Sequence, residues 1–165
     1  MMTKRQMSVV WLFAIQLVFG YEWLFAAWEK LATGGVFVKN MPVTLGRFAE
    51  GNPFGWYKTF LLGFATKNAT TFGYLVEYGQ LLIGIALIVM AFVLLFIGGS
   101  KLTQKLALKI SALSYFFGAA MNAVFWLAAA WTSPATRGVN AVMFWVQVIL
   151  ICALCKMCRQ IKKEN

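Results

Sequence analysis

The sequence predicts an all-α integral membrane protein: a four-helix transmembrane bundle with short interfacial helices in one long outer loop. Two features of the composition indicate this class. Apolar residues make up 61% of the 165-residue chain, and charged residues make up 12%, about half their usual share. A third observation is that apolar runs long enough to cross a bilayer recur along the chain. Helices are the spanning form that satisfies its own backbone hydrogen bonds in lipid.

The chain is expected to form one membrane domain over residues 1–165. The spans are predicted at about 8–33, 72–97, 106–131 and 139–157, with an extracytoplasmic helical loop at 34–71. In that loop, Pro42 is suited to open a short helix through Phe48. Asn52-Pro53 is typical of a helix start, with Asn52 as the N-cap. We expect this second helix to continue to about Ala65 and to lie on the bundle with its aromatic side.

The net charge of +10 is concentrated at the ends of the apolar runs, which argues against a nucleic-acid-binding face. Short basic segments stay in the cytoplasm, so both termini are predicted to be cytoplasmic. The residues behind this prediction are Lys4, Arg5, Lys101, Lys105, Lys109, Lys156, Arg159, Lys162 and Lys163.

The chain contains no histidine and no aspartate among its few acids. This composition excludes His-ligated haem, most zinc and copper sites and histidine-based nucleophilic catalysis. Cys152, Cys155 and Cys158 form a C-x-x-C-x-x-C pattern, but an iron–sulfur cluster needs four thiolates. We interpret these cysteines as small apolar residues of the last span, and no metal site is predicted. Membrane-proximal palmitoylation or redox sensing is the minor alternative.

Acidic residues inside the spans are the main candidates for a functional site, because a carboxylate in hydrocarbon is costly. Glu22 lies in the first span and Glu77 near the start of the second, and with the predicted topology both fall in the outer half of the bundle. We expect them to face a common pocket with Asn122 of the third span. There a carboxyl group is suited to carry a proton or to bond a quinone carbonyl. The alternative is that buried Glu and Asn only fix which helices meet.

Further candidates for the pocket are Glu29, Lys30, Gln80, Arg137 and Asn140, which lie near the outer ends of the spans. For Glu29, Lys30 and Arg137 the favoured interpretation is structural, because charged side chains near the headgroups can reach water. The cations among them, with Lys39 or Arg47, are suited to attract an anionic substrate.

Three segments carry a resemblance to a known family: Glu-Trp-Leu-Phe-Ala-Ala-Trp-Glu-Lys-Leu at 22–31 with Gly34-Gly35, Asn-Pro-Phe-Gly-Trp-Tyr at 52–57, and Tyr-Leu-Val-Glu-Tyr-Gly-Gln-Leu-Leu-Ile-Gly at 74–84. In these segments the chain resembles the DoxX/DoxD superfamily, and most closely the DoxD-like small membrane subunit of thiosulfate:quinone oxidoreductase. The resemblance implies a four-helix bundle in a prokaryotic cytoplasmic membrane. It assigns Glu29, Lys30, Glu77 and Gln80 to the family motifs. The cysteine pattern and the basic tail lie outside them.

The expected function is therefore that of a redox-linked membrane subunit, which delivers electrons from a small sulfur-containing substrate, such as thiosulfate, or from a partner subunit to membrane quinone. Quinone is the one cofactor predicted, and a homo-oligomer is an alternative to a partner redox subunit. Two rival functions stay open. A non-enzymatic scaffold or assembly partner predicts a core filled by side chains with Glu22 paired to Asn122. A small transporter predicts a continuous polar path across the membrane.

Overall fold

The computed structural model of the protein describes residues 4–97 and 99–163, with side chains described for 10–97 and 99–161. All regular structure in these residues is helical. The helices are α1 (Lys4–Leu31), α2 (Val36–Lys39), α3 (Met41–Glu50), α4 (Gly55–Phe60), a π-helical segment π1 (Leu61–Ala65), α5 (Ala69–Phe92), a second π-helical segment π2 (Val93–Ile97), α6 (Lys101–Ala129) and α7 (Pro134–Lys163). The side chains of Lys4, Arg5, Lys162 and Lys163, on which the predicted topology partly depends, lie outside the described residues.

Four of these helices are long and apolar enough to cross a membrane, which confirms an all-helical chain with the length and composition of a multi-pass membrane protein. The candidate spans are Val10–Leu31, Ala69–Ile97, Lys101–Ala129 and Pro134–Ile161. Large side chains such as Trp11, Leu82 and Trp145 are more than half exposed along their outer faces. Such an apolar outer surface suits lipid better than water.

The long helices pack as two pairs, α1 with α5 and α6 with α7, and α5 contacts α6 between them. The short helices α2 and α3 pack on α5, and α3 also contacts α6. We call the end that carries α2–α4 and π1 the capped end. We call the opposite end, where α6 begins and α7 finishes, the basic end.

Helices α6 and α7 begin about one turn earlier than the apolar runs suggested. Ser100 precedes α6, and its Oγ accepts a hydrogen bond from the backbone N–H of Thr103 at 3.0 Å. Ser133 precedes α7, and its Oγ accepts from the N–H of Thr136 at 3.0 Å. Because these caps satisfy N–H groups that the first turn leaves unpaired, the helices extend beyond their apolar parts.

The capped end differs from the prediction at Asn52. The aromatic helix begins at Gly55, with Phe54 at its N-cap position, so the prediction of Asn52 as N-cap is wrong. The Asn52 Oδ1 instead accepts from the Phe54 N–H at 3.0 Å, which is the bond of an Asx turn. Its Nδ2 donates to the Leu127 carbonyl at 2.9 Å, so one side chain both shapes the loop and fastens it to α6.

Helices α1 and α5 pack backbone against backbone around two glycines. A Cβ built on Gly84 would lie 2.8 Å from the backbone N of Leu24, and one built on Gly20 would lie 3.2 Å from the Gly84 carbonyl oxygen. Both distances are shorter than ordinary van der Waals contact. Small residues are the usual means by which membrane helices pack backbone against backbone, and these two glycines position α5 against α1.

Buried amides link the helices at mid-bundle. Gln16 of α1 donates its Nε2 proton to the Ser111 Oγ of α6 at 2.8 Å. Asn122 of α6 donates its Nδ2 proton to the Gln147 Oε1 of α7 at 3.2 Å. Since both glutamines are fully buried, these bonds join helices in a part of the protein that water does not reach.

Candidate functional site

A cavity of about 300 Å³, which we call the main cavity, lies beneath the capped end. This volume is at the lower end of the range for small-molecule pockets, roughly 300–1,000 Å³. Its walls come from the short helices on one side and from α5, α6 and α7 on the other. The walls are largely apolar, and the lining residues Met41, Leu45 and Leu61 are buried. The cavity therefore suits an apolar ligand with few polar atoms.

Six polar side chains line this cavity, and they come from five different helices. They are Lys30, Thr44, Tyr57, Gln80, Thr136 and Asn140. Tyr57 fastens the cap, because its hydroxyl donates to the Val124 carbonyl of α6 at 3.3 Å. Burial raises the pKa of Tyr57 above its ordinary value, so the phenol stays protonated as a hydrogen-bond donor.

Gln80 is the most unusual polar group in the cavity wall. Its side chain is only 4% exposed, and its Oε1 has no hydrogen-bond partner among the described residues. Glu77 lies one turn earlier on the same face of α5, is 2% exposed, and has an unpartnered Oε1 as well. Leaving such a buried group unsatisfied costs about 1–3 kcal/mol, more for a charged group. A ligand that donates a hydrogen bond to the Gln80 Oε1 would satisfy this oxygen. Protonation of Glu77 would remove the cost of a buried charge.

Lys30 places a cation at the edge of the same cavity. Its Nζ donates to the Ala26 carbonyl at 2.8 Å and lies 5.5 Å from the centre of the Phe37 ring. An ammonium group has three donors, so donors remain for a ligand in the cavity.

A second space, a groove of about 290 Å³, lies between α6 and α7 and is lined by Asn122, Asn140 and aromatic side chains that include Trp126 and Trp145. Asn140 lines both this groove and the main cavity, and its Nδ2 donates to the Thr136 carbonyl at 2.8 Å. Asn122 lines the groove only, and its hydrogen bond goes to Gln147. Asn140 is therefore the residue that lies between the two spaces.

The structure does not enclose Glu22 in this site. Glu22 is exposed on α1, while its neighbour Trp23 is buried, so the expectation that Glu22 and Glu77 face a common pocket is wrong. The buried face of α1 is formed by residues at helical spacing, Leu12, Gln16, Gly20, Trp23 and Ala27. Glu22 lies about 100° away from that face.

Glu29 and Arg137 are also exposed, and neither lines the cavity. Of the predicted site residues, the structure brings Lys30, Gln80 and Asn140 to the cavity and buries Glu77 beside Gln80. It places Asn122 in the groove, and it leaves Glu22, Glu29 and Arg137 on the surface.

Sequence reasoning missed the cavity residues of α3, namely Met41, Thr44, Leu45 and Phe48. Their spacing of three to four residues is the one signal in the sequence that could have identified them, because it places them on one face of a helix.

In the described part of the chain, no three Cys or acidic side chains lie close enough together to hold a metal ion. Comparisons with protein-family models, with curated proteins and with solved structures found no match to this chain, so the resemblance described above stays a prediction.

Proposed function

We propose that the cavity beneath the capped end binds the head group of a membrane quinone, and that the protein is a redox-linked membrane subunit. The observation that carries the proposal is the buried, unpartnered Oε1 of Gln80 in the wall of an otherwise apolar cavity that also holds Lys30. A quinone ring is apolar on its faces and polar at its two oxygens, which matches a cavity of this composition.

The two polar groups suit the two redox states of such a ligand. The Lys30 ammonium can donate to a quinone carbonyl, which only accepts. The Gln80 Oε1 can accept from a quinol hydroxyl, and the other half of the same amide can donate to a carbonyl after rotation of the group. A single site can therefore hold the oxidised and the reduced ring.

Reduction of a quinone consumes two electrons and two protons. We propose that the electrons come from a small sulfur-containing reductant, such as thiosulfate, or from a partner subunit. We propose that Glu77 gives one of these protons to the reduced quinone oxygen bound near Gln80, since Glu77 lies one turn from Gln80 on the same buried face of α5. Lys39, Arg47 and Arg137 are exposed, and if they share the outer membrane surface they raise the local concentration of an anionic reductant.

The proposal places the protein in a prokaryotic cytoplasmic membrane with both termini in the cytoplasm and the capped end outside. The support is the set of cations at the basic end, Lys101, Lys105, Lys109, Lys156 and Arg159, which the positive-inside rule assigns to the cytoplasm.

Binding of a short-tailed quinone to the purified protein in detergent tests this function. We expect saturable quenching of tryptophan fluorescence by the quinone, and an affinity about 10-fold lower in Gln80→Leu, because one hydrogen bond of about 1.4 kcal/mol is lost. Glu22→Gln is the matched control and should bind like the wild type, since Glu22 is exposed outside the cavity. Equal binding by Gln80→Leu and the wild type, or no binding and no co-extracted quinone, would refute the proposal.

The chemical role of Glu77 needs a separate measurement. With thiosulfate or a co-purified reductase as electron donor, Glu77→Gln should bind quinone normally and reduce it more slowly, because the amide cannot carry a proton. Equal reduction rates in Glu77→Gln and the wild type would show that Glu77 does not transfer the proton. Such a result would not contradict the proposed quinone-binding site.

A non-enzymatic scaffold is the second candidate, and one observation favours it. The buried polar side chains Gln16, Ser111, Asn122 and Gln147 are engaged in bonds between helices, as expected of groups that fix helix pairing. A scaffold predicts a stable complex with a partner protein and no quinone binding in the assay above. The pairing of Glu22 with Asn122 that this alternative predicts is not found among the described residues, since Glu22 is exposed while Asn122 is buried and bonds Gln147.

A further inference from the structure

At the basic end, a groove of about 270 Å³ lies between α6 and α7, and the proposed redox function does not use it. Its α6 wall is formed by Leu108, Lys109 and Ala112, and its α7 wall by Leu154, Cys155, Cys158 and Arg159. From this groove, we infer that the protein binds one anionic phospholipid between α6 and α7, with the phosphate held by Lys109 and Arg159.

The polarity of the groove is graded along the helix axes. Lys109 and Arg159 are exposed and lie on the side toward the basic end. Leu154 lies more than one turn further into the bundle than Arg159, and Ala112 lies nearly one turn further than Lys109, so the deeper part is apolar. A phospholipid has the same order of groups, with a charged phosphate followed by an acyl chain.

The groove exists because the side chains along this part of the seam are small. Ala112, Cys155 and Cys158 face a space that leucine or phenylalanine would fill, while Leu108 and Leu154 are buried beneath it. This accounts for two of the three cysteines without metal or redox chemistry: a cysteine behaves as a small apolar residue that leaves room for a ligand.

Among the described residues, no carboxylate lies at the groove to balance its positive charge. Within the described part of the chain, the acidic residues are Glu22, Glu29, Glu50 and Glu77, none of which lies among the residues of the groove or in the helix segments that form it. The two cations come from different helices, so they can approach a phosphate from two sides. Basic pockets between membrane helices near a lipid surface are known to bind anionic head groups.

The test is lipid binding by the full-length protein in detergent, measured by native mass spectrometry with phosphatidylglycerol and with phosphatidylcholine of the same acyl chains. We expect the wild type to prefer phosphatidylglycerol. The double variant Lys109→Gln/Arg159→Gln should lose about 25-fold in affinity for phosphatidylglycerol and become indifferent to the head group, since each surface cation contributes roughly fivefold.

Two further variants separate a built groove from general surface charge. Lys156→Gln removes a cation from the same end of α7 that is exposed but does not line the groove, so it should keep the preference. Ala112→Leu keeps every charge and fills the apolar part, so it should weaken binding of both lipids. Excess inorganic phosphate at the same ionic strength should not displace the lipid, because phosphate alone makes no contact with the apolar wall.

Equal binding of the two lipids by the wild type would overturn the inference, as would a preference that survives the double substitution. Loss of the preference in Lys156→Gln to the same extent would reduce the effect to surface charge and would also overturn it. Because the charge variants change exposed residues, they are expected to fold, and their melting temperatures provide the check. None of these outcomes depends on quinone binding at the capped end.

Discussion

Replacement of Gly84 by alanine tests whether the close approach of α1 and α5 determines the stability of the bundle. The added Cβ would lie 2.8 Å from the backbone N of Leu24 and 2.7 Å from its Cγ. The leucine side chain can rotate away, but the backbone N cannot. The two helices must therefore separate by at least about 0.6 Å to restore an ordinary contact of 3.4 Å.

Gly79→Ala is the matched control on the same helix. A Cβ at Gly79 would meet the Met121 Sδ at 3.5 Å, which is an ordinary contact. Both substitutions gain the same intrinsic helix preference of alanine over glycine, about 1 kcal/mol. The difference between the two variants therefore isolates the packing cost, which for an overpacked interior is typically about 1–3 kcal/mol.

The measurement is the free energy of unfolding in mixed micelles, from a titration with sodium dodecyl sulfate followed by circular dichroism. We expect Gly84→Ala to be less stable than Gly79→Ala by about 1–3 kcal/mol. If the two variants unfold within about 0.5 kcal/mol of each other, which is the usual additivity error, the reasoning about backbone contact is wrong.

Three further predictions concern the polar contacts of the bundle and its cap. A double-mutant cycle with Asn122→Leu and Gln147→Leu should give a coupling energy of about 0.6 kcal/mol in the unfolding titration, and additive effects of the two substitutions would mean that their hydrogen bond contributes nothing. Asn52→Ala removes the Asx turn and the bond to the Leu127 carbonyl, so amide hydrogen exchange in α4 and π1 should become faster while exchange at mid-bundle stays the same; unchanged exchange in the cap would refute the fastening role. The raised pKa of Tyr57 predicts a pH effect: a protonated phenol is favoured in the folded cap, so its contribution to stability is complete below its ordinary pKa of about 10 and is lost as the pH rises through the higher folded value. Thermal melts between pH 9 and pH 12 (roughly the range around that pKa) should therefore show a steeper loss of stability in the wild type than in Tyr57→Phe, which cannot ionise, and parallel curves would contradict the prediction.

The fold class followed from the sequence because a bilayer imposes simple demands on length and apolarity. The inward face of each helix was harder to predict. In a soluble helix the apolar side marks the core, whereas both sides of α1 are apolar, and the buried side is distinguished by the polar and small residues Gln16, Gly20 and Ala27. The prediction for Glu22 was wrong because the sequence indicates its depth in the membrane but not the side of α1 on which it lies.

The candidate site was only partly predictable for a related reason. Gln80 and Glu77 lie together because they are three residues apart on one helix, and this spacing can be read from the sequence. The pairing of Asn122 with Gln147 depends on how separate helices pack. The same is true of the position of α3, which we call the roof because it covers the main cavity. No local pattern specifies such contacts; the spacing of Met41, Leu45 and Phe48, which the sequence analysis did not use, is the one signal of an inward face on α3.

The main cavity draws its walls from nearly every helix of the protein, and this has a practical consequence for the search for a natural ligand. A molecule that fills it would hold α1, α5, α7 and the roof together, so its binding energy would add to the folding stability of the whole chain. At a concentration 100 times the dissociation constant that gain is about 2.7 kcal/mol, which a melting experiment detects easily. A thermal-shift screen of lipid-soluble compounds can thus test directly which of them bind in this cavity.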